Sequence, residues 1–222
     1  MLKIDHLLIC IDAPEKMAKI LTDFGLIEGE SNSHFGQGTS NRRFYFNNIY
    51  LELLYLDDPE AAQSPLTKPI KIFQRFLPKT TNISPFAVCF YADNQIKNND
   101  KFDINKFKNW SYKPKYLPSP LKIDILEAPI SEPMYFFLDF ISSDSRKKHK
   151  KFKHKTGFKN VTNIKYHTPH HHLDSDIKTY ISEHNLLEYI ANDTHIFHLE
   201  FDAGAQGKTH DFRPDLPLIF SW

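Results

Sequence analysis

The sequence predicts an α+β fold made from a strand–helix–strands unit, βαβββ in order, that occurs about twice and then partly a third time. Three observations point to it. Short apolar runs of strand length recur along the whole chain. Helical periodicity is clear in only two places, around Met17 and around Ile177. The runs also repeat in order: PFAVCFYA at 85–92 restarts the series opened by Leu2–Ile11, and the two are followed by Asp93 and Asp12.

Leu2–Ile11 is an apolar run broken by Asp5 and His6. Pro14 suits a first helical position, Met17, Ile20, Leu21 and Phe24 follow at helical spacing, and Gly25 closes the helix. A polar stretch, His34-Phe-Gly-Gln-Gly-Thr-Ser-Asn41, then leads into Arg43–Phe46, a turn at Asn47-Asn48 and a strand over Ile49–Leu56. In the second unit, residues 94–110 are polar and poorly periodic, a degenerate helix or a loop, and strands follow at Leu121–Leu126 and Met134–Ile141. The partial third unit has a strand at Val161–His167, a helix capped by Asp174 or Ser175, an alternating strand at Ile196–Phe201 and a last edge strand at Leu216–Trp222. This organisation puts paired modules in residues 1–145, at about 1–60 and 85–145. A basic loop and a C-terminal βαββ unit, packed on the same domain, fill 146–222.

Composition narrows the classes. With 222 residues, 41% hydrophobic and 25% charged, the chain can bury a sizeable core and is not of a disordered type. No apolar stretch approaches the roughly 20 residues of a membrane span, and the start lacks a signal-peptide layout, so a cytoplasmic protein with no membrane partner is expected. Cys10 and Cys89 lie in apolar runs and read as reduced core residues. Seven of the 28 basic residues fall in Arg146–Lys155, which leaves 21 against 27 acidic residues elsewhere. Such a block reads as a solvated loop or as an anion site. Aromatic residues do not interleave with it as single-strand binders require, which argues against a nucleic-acid partner.

Three polar residues interrupt apolar strands: His6, Glu52 and Asp139. A carboxylate at such a place costs several kcal/mol unless it is paired, hydrogen-bonded or metal-bound. Either these strand faces open on water, with Arg42 or Arg43 as a partner for Glu52, or the residues carry chemistry. Aligning YLELL at 50–54 with FLDFI at 137–141 makes Glu52 and Asp139 equivalent under the repeat, so that both could point into one cavity.

The pattern Ile4-Asp5-His6-Leu7-Leu8 with Tyr50-Leu51-Glu52-Leu53-Leu54 resembles the vicinal oxygen chelate superfamily, which includes glyoxalase I and extradiol dioxygenases. The His34–Asn41 segment, YLELLYLDD at 50–58, Met134–Phe140 before a basic loop and Val161–Pro169 before a helix are similar to bacterial glyoxalase-like domain proteins. The resemblance implies paired βαβββ modules curving a mixed sheet into a cup. It implies a lyase, isomerase or dioxygenase acting on a small vicinal-oxygen metabolite through a divalent metal, Fe, Mn, Ni or Zn. His6, Glu52 and Asp139 would be its ligands, with Glu52 doubling as the base and Ala87 standing where a fourth ligand is expected. Gln37, Thr39 and Asn41 would face the substrate, and a homodimer would be in keeping with the superfamily. The alternative is a non-catalytic binding protein that uses the same cavity, and the Ala87 position favours it.

Other histidines invite less. His167 with His170, His171 and His172 lacks regular ligand spacing and reads as a surface loop. His198, Glu200 and Asp202 alternate on what reads as the wet face of an edge strand. No phosphate loop, dinucleotide fingerprint, nucleophile elbow or HExxH motif is present.

Overall fold

The structure is a computed structural model that describes residues 1–77, 82–93, 102–142, 152–172 and 175–222. The first unit is β1 (Leu2–Cys10), α1 (Pro14–Phe24), β2 (Ser33–His34), β3 (Thr39–Tyr45) and β4 (Tyr50–Leu56). The second is β5 (Phe86–Ala92), β6 (Asn109–Tyr112), β7 (Ile123–Leu126) and β8 (Met134–Phe137). Together they form one strongly curled, half-barrel sheet in the order β2-β3-β4-β1-β5-β8-β7-β6. β1 and β5 run antiparallel at its centre, and each pairs in parallel with the last strand of its own unit, β1 with β4 and β5 with β8. The predicted α+β class and curved mixed sheet hold.

The C-terminal part is more than a partial unit. It comprises β9 (Val161–Thr168), α2 (Asp176–Glu183), β10 (Glu188–Ala191), β11 (Ile196–Phe201), β12 (Thr209–Asp211) and β13 (Leu218–Ser221). These strands make a second sheet in the order β10-β9-β11-β13-β12. Its plan repeats the first in reduced form: β9 and β11 are the antiparallel centre, and β10 and β13 lie parallel to them. Neither strand read from sequence as an edge is one. β11 lies between β9 and β13, and β12 covers β13.

Local chemistry explains the helix ends. Gly25 takes φ +113° after α1, where its N–H reaches the carbonyls of Leu21 and Thr22. Ser175 caps α2 by accepting from the Lys178 N–H. The main core lies between one face of the large sheet, α1 and the second sheet. Leu7, Ile9, Leu51, Leu53 and Val88 share one buried cluster with Met17 and Leu21 of α1 and with Tyr166, Leu199 and Phe220 of the second sheet. Aromatic rings knit the two sheets: the Phe86 centroid on β5 lies 4.2 Å from that of Phe197 on β11 and 5.6 Å from that of Tyr166 on β9. Burying each such ring stabilises the fold by about 2–3 kcal/mol. A second apolar cluster, with Leu8, Cys10, Leu54, Cys89, Ile125 and Phe136, lines the concave face instead. Both cysteines are buried, and neither forms a disulfide. Among the described residues no helix is long and apolar enough to cross a membrane.

Candidate active-site pocket

The concave face encloses a cavity of about 200 Å³. One wall is polar and comes from the first unit: His6 on β1, His34 on β2, Asn41 and Arg43 on β3, Tyr50 and Glu52 on β4. The opposite wall is mostly apolar and comes largely from the second unit, with Ile123, Ile125, Met134, Phe136 and Leu138.

His6 owes its setting to an irregularity in β1. Ile4 pairs with Phe90 and His6 with Cys89, so Asp5 is an extra residue in the ladder. A bulge of this kind sets two successive side chains near one another instead of on opposite faces. The Asp5 carboxylate accordingly meets His6 Nδ1 at 2.6 Å, with both residues buried. Tyr50 stacks on the imidazole at a centroid distance of 4.4 Å. With Nδ1–H given to Asp5, the ring presents Nε2 to Glu52 Oε2 at 3.6 Å. One proton between those two atoms, on either side, removes the opposition of their lone pairs.

Glu52 is 4% exposed, and the other oxygen of its carboxylate, Oε1, accepts from Asn41 Nδ2 at 3.1 Å. Asn41 is itself fixed, because its Oδ1 accepts the Asn32 N–H at 2.8 Å. Beyond it, His34 Nδ1 lies 2.9 Å from Thr39 Oγ1, which also accepts from Gln37 Nε2 at 2.8 Å. Asn41 Nδ2 reaches His34 Nε2 at 3.4 Å. That arrangement suits a neutral imidazole protonated on Nδ1, and burial lowers the His34 pKa accordingly. Tyr116 donates to Gln37 Oε1 at 3.4 Å and closes the network, and burial raises its phenol pKa. Gly38 holds the entry of β3 at φ +78°, with the Asp58 carbonyl where a Cβ would stand.

Five of the six residues singled out from sequence therefore come together. His6, Glu52, Gln37 and Asn41 line the cavity, and Thr39 lies fully buried behind them as the hinge of the hydrogen bonds. Asp139 does not join them. β8 ends at Phe137, and Asp139 stands in the following turn, exposed. Its neighbours Leu138 and Phe140, not Asp139, line the cavity. The backbone register gives the reason. Glu52 pairs with Leu8, and the residue equivalent to Leu8 when Asp93 is matched to Asp12 is Cys89, which pairs with Phe136. The counterpart of Glu52 is therefore Phe136, three residues before Asp139.

A chelate drawing on both units consequently does not fit these residues. Ala87 and Phe136 put carbon where the second unit would supply ligands, and Asp139 is turned away. Among the described residues the metal-capable group that forms is a different one, Asp5, His6 and Cys89, whose donor atoms lie within 4.8 Å of one another. Two of its three members, Asp5 and His6, are already joined by a hydrogen bond. Neither arginine pairs with Glu52: Arg42 binds Glu28, and Arg43 donates to the Glu30 carbonyl while lying over the Tyr45 and Tyr50 rings.

The remaining histidines do not converge. His171 and His172 are exposed, His170 stacks near His195, and His167 near His198. Asp202 lies beyond β11 and accepts from the Lys159 and Asn160 N–H groups, so it does not join His198 and Glu200. Of the basic run, residues 146–151 lie outside the described residues. At its end Phe152 stacks on Tyr45 at 5.0 Å, and His154 is buried with Nδ1 accepting the Ile27 N–H and Nε2 against the Tyr45 carbonyl. Asp5, His34 and Tyr50 were not singled out from sequence. The shift of apolar residues from even positions, Leu2 and Ile4, to odd ones, Leu7 and Ile9, is the signal that would have found the bulge.

Residues 4–102 match the profile of a family described as a glyoxalase-like domain, a segment that holds the whole polar wall from His6 to Glu52. Over its full length the chain is similar in fold to a hypothetical protein from Staphylococcus aureus. The two share 14% identity over 100% of this chain and 99% of that one, with a TM-score of 0.62. A hypothetical protein from Bacillus halodurans C-125 (14% identity, 63% of this chain and 95% of that chain) superposes with a TM-score of 0.42. A Streptomyces coelicolor methylmalonyl-CoA epimerase in complex with 2-nitronate-propionyl-CoA (14%, 62% and 96%) does so with 0.39. No curated protein sequence matches the chain. The resemblance to glyoxalase-like domain proteins holds over residues 4–102.

Proposed function

We propose that this glyoxalase-like chain is a proton-transfer enzyme acting on a small metabolite with vicinal oxygens, Glu52 serving as base and the His6–Asp5 pair as its acid partner. The observation that supports this is a buried carboxylate with one oxygen held by Asn41, the other facing an imidazole that a second carboxylate orients. Buried acid–base pairs of this kind are costly to a fold and concentrate at catalytic sites.

In this reading the substrate lies with its oxygens against the polar wall and its carbon side on Ile125 and Phe136. Glu52 takes a proton from the carbon beside a carbonyl. His6 gives its Nε2 proton to the carbonyl oxygen, so an enol forms and the charge of the site is unchanged. Asp5 holds the ring through Nδ1–H, so the ring that gives the Nε2 proton is the imidazolium, and the Asp5 carboxylate steadies that charge. Arg43 adds positive charge at the polar wall and favours an anionic substrate. No step is routed through a divalent metal, because the second unit offers carbon at the positions equivalent to His6 and Glu52.

The test is wash-out of α-protons from hydroxyketones and 2-oxo acids in D₂O, followed by proton NMR with a chelator present. Exchange that falls by about 10²-fold or more in Glu52→Gln, with binding retained, supports the reading. Exchange that requires an added divalent ion would overturn its metal-free form. A second reading, a binding protein without catalysis, draws on the apolar second wall. Equal binding by wild type and Glu52→Gln with no exchange in either would establish it.

A further inference from the structure

A second cavity, of about 330 Å³, opens between the segments that lead into β5 on one sheet and into β11 and β13 on the other. It shares no lining residue with the concave pocket. Its walls are apolar, from Ile83, Pro85, Ile196, Pro214 and Pro217, and three basic side chains border it: Arg75, Arg213 and His195.

Arg75 is unusual among them. It is 6% exposed, and its Nη1 donates to the carbonyls of Ser84 at 2.6 Å and Glu132 at 2.9 Å, yet its Nε–H has no acceptor among the described residues. No carboxylate among the described residues pairs with it. Glu132, whose backbone it holds, gives its own carboxylate to Ser175 Oγ at 2.7 Å. Burial pulls the guanidinium pKa below its usual value. A buried cation without a counter-charge costs the fold several kcal/mol, and an entering anion would relieve that cost. Arg213 stands half-exposed at the same cavity, joined to Asp211. The His195 ring is oriented from its Nδ1 edge, 3.2 Å from Thr168 Oγ1 and also in contact with the Tyr166 hydroxyl.

We infer that this inter-sheet cavity is a second ligand site, for a small carboxylate with a hydrocarbon body. The carboxylate would lie toward Arg75 and Arg213, whose planar guanidinium groups match it, and the hydrocarbon would cover the isoleucine and proline walls.

Hexanoate and its neutral isostere hexanamide distinguish this from a purely structural arginine, by titration calorimetry on the full chain. Hexanoate is expected to saturate one site per chain and to bind at least about tenfold more tightly than hexanamide. Thr194→Trp, an exposed position that would fill the cavity, should abolish binding, and Arg213→Gln should weaken it by about threefold to tenfold. Arg75→Met is the direct test, and Thr194→Trp serves if that variant does not fold. Affinity should be unchanged in Glu52→Gln, which alters only the concave pocket. Equal affinity for the two probes, no saturable binding, or binding lost in Glu52→Gln but kept in Thr194→Trp would overturn the inference.

Discussion

The two units of the large sheet share a backbone plan and diverge in what they offer the cavity. In the first, Leu8 pairs with Glu52, and His6 lies two residues before it on the same strand. In the second, Cys89 pairs with Phe136, and Ala87 takes the place of the histidine. The strand pairing is the same in each, parallel between first and last strand. Only the side chains differ, so the frame survives where the chemistry is lost. Backbone pairing tolerates any residue that fits a pleated, half-buried surface. A buried carboxylate or imidazole survives only with partners, and those partners, Asp5, Asn41 and His34, belong to the first unit alone.

The sharpest way to break this comparison is to exchange one polar position. Phe136→Glu places a carboxylate on the apolar wall without the Asn41-like donor that holds Glu52. It is expected to cost about 3 kcal/mol or more in urea denaturation near neutral pH. Glu52→Gln should stay within about 1 kcal/mol of wild type. Similar costs for the two would mean that the second wall is wetter than its apolar lining implies.

A smaller effect comes from acid. Burial lowers the pKa of both His34 and His154, so the folded state holds each ring neutral. As the pH falls through the ordinary value of 6.5 the unfolded chain takes up protons first. Their contribution is therefore complete above 6.5 and is lost as pH drops through the lower folded values. Denaturation midpoints should be level down to that point and fall beneath it. His154→Gln, able to accept from Ile27 and donate to Tyr45, should flatten the decline. An unchanged slope in that variant would remove His154 from the account. Smallest of all, Asp139→Ala should change stability by less than about 0.5 kcal/mol and leave substrate proton exchange as it was.

Much of the frame was legible in the sequence because it is carried by local patterns. The Pro14 to Gly25 helix, the runs that became β1, β4, β5, β9 and β11, and the repeat itself all follow from side-chain periodicity. β6, β10 and β12 were not, since NWSY, EYIA and THD are too short and too polar to announce a strand, and they form because a neighbour offers an edge. In the site, His6 and Glu52 stood out as polar residues in apolar runs. Asp139 stands out in the sequence by its chemical likeness to Glu52, but likeness is not equivalence. The register that fixes equivalence is a property of pairing, not of sequence. His34 was hidden by its setting among glycines and polar residues, where nothing local marks it as buried.

The one-sided polarity of the cavity has a stereochemical consequence. A flat enol lying between the walls would show one face to Glu52 and the other to the hydrocarbon of Ile125 and Phe136. A single base reaches one face, so a proton removed there returns there. Such a site would label one prochiral position with deuterium and leave its mirror partner untouched. Inverting a centre would need a second proton donor across the cavity, at the place that Phe136 occupies.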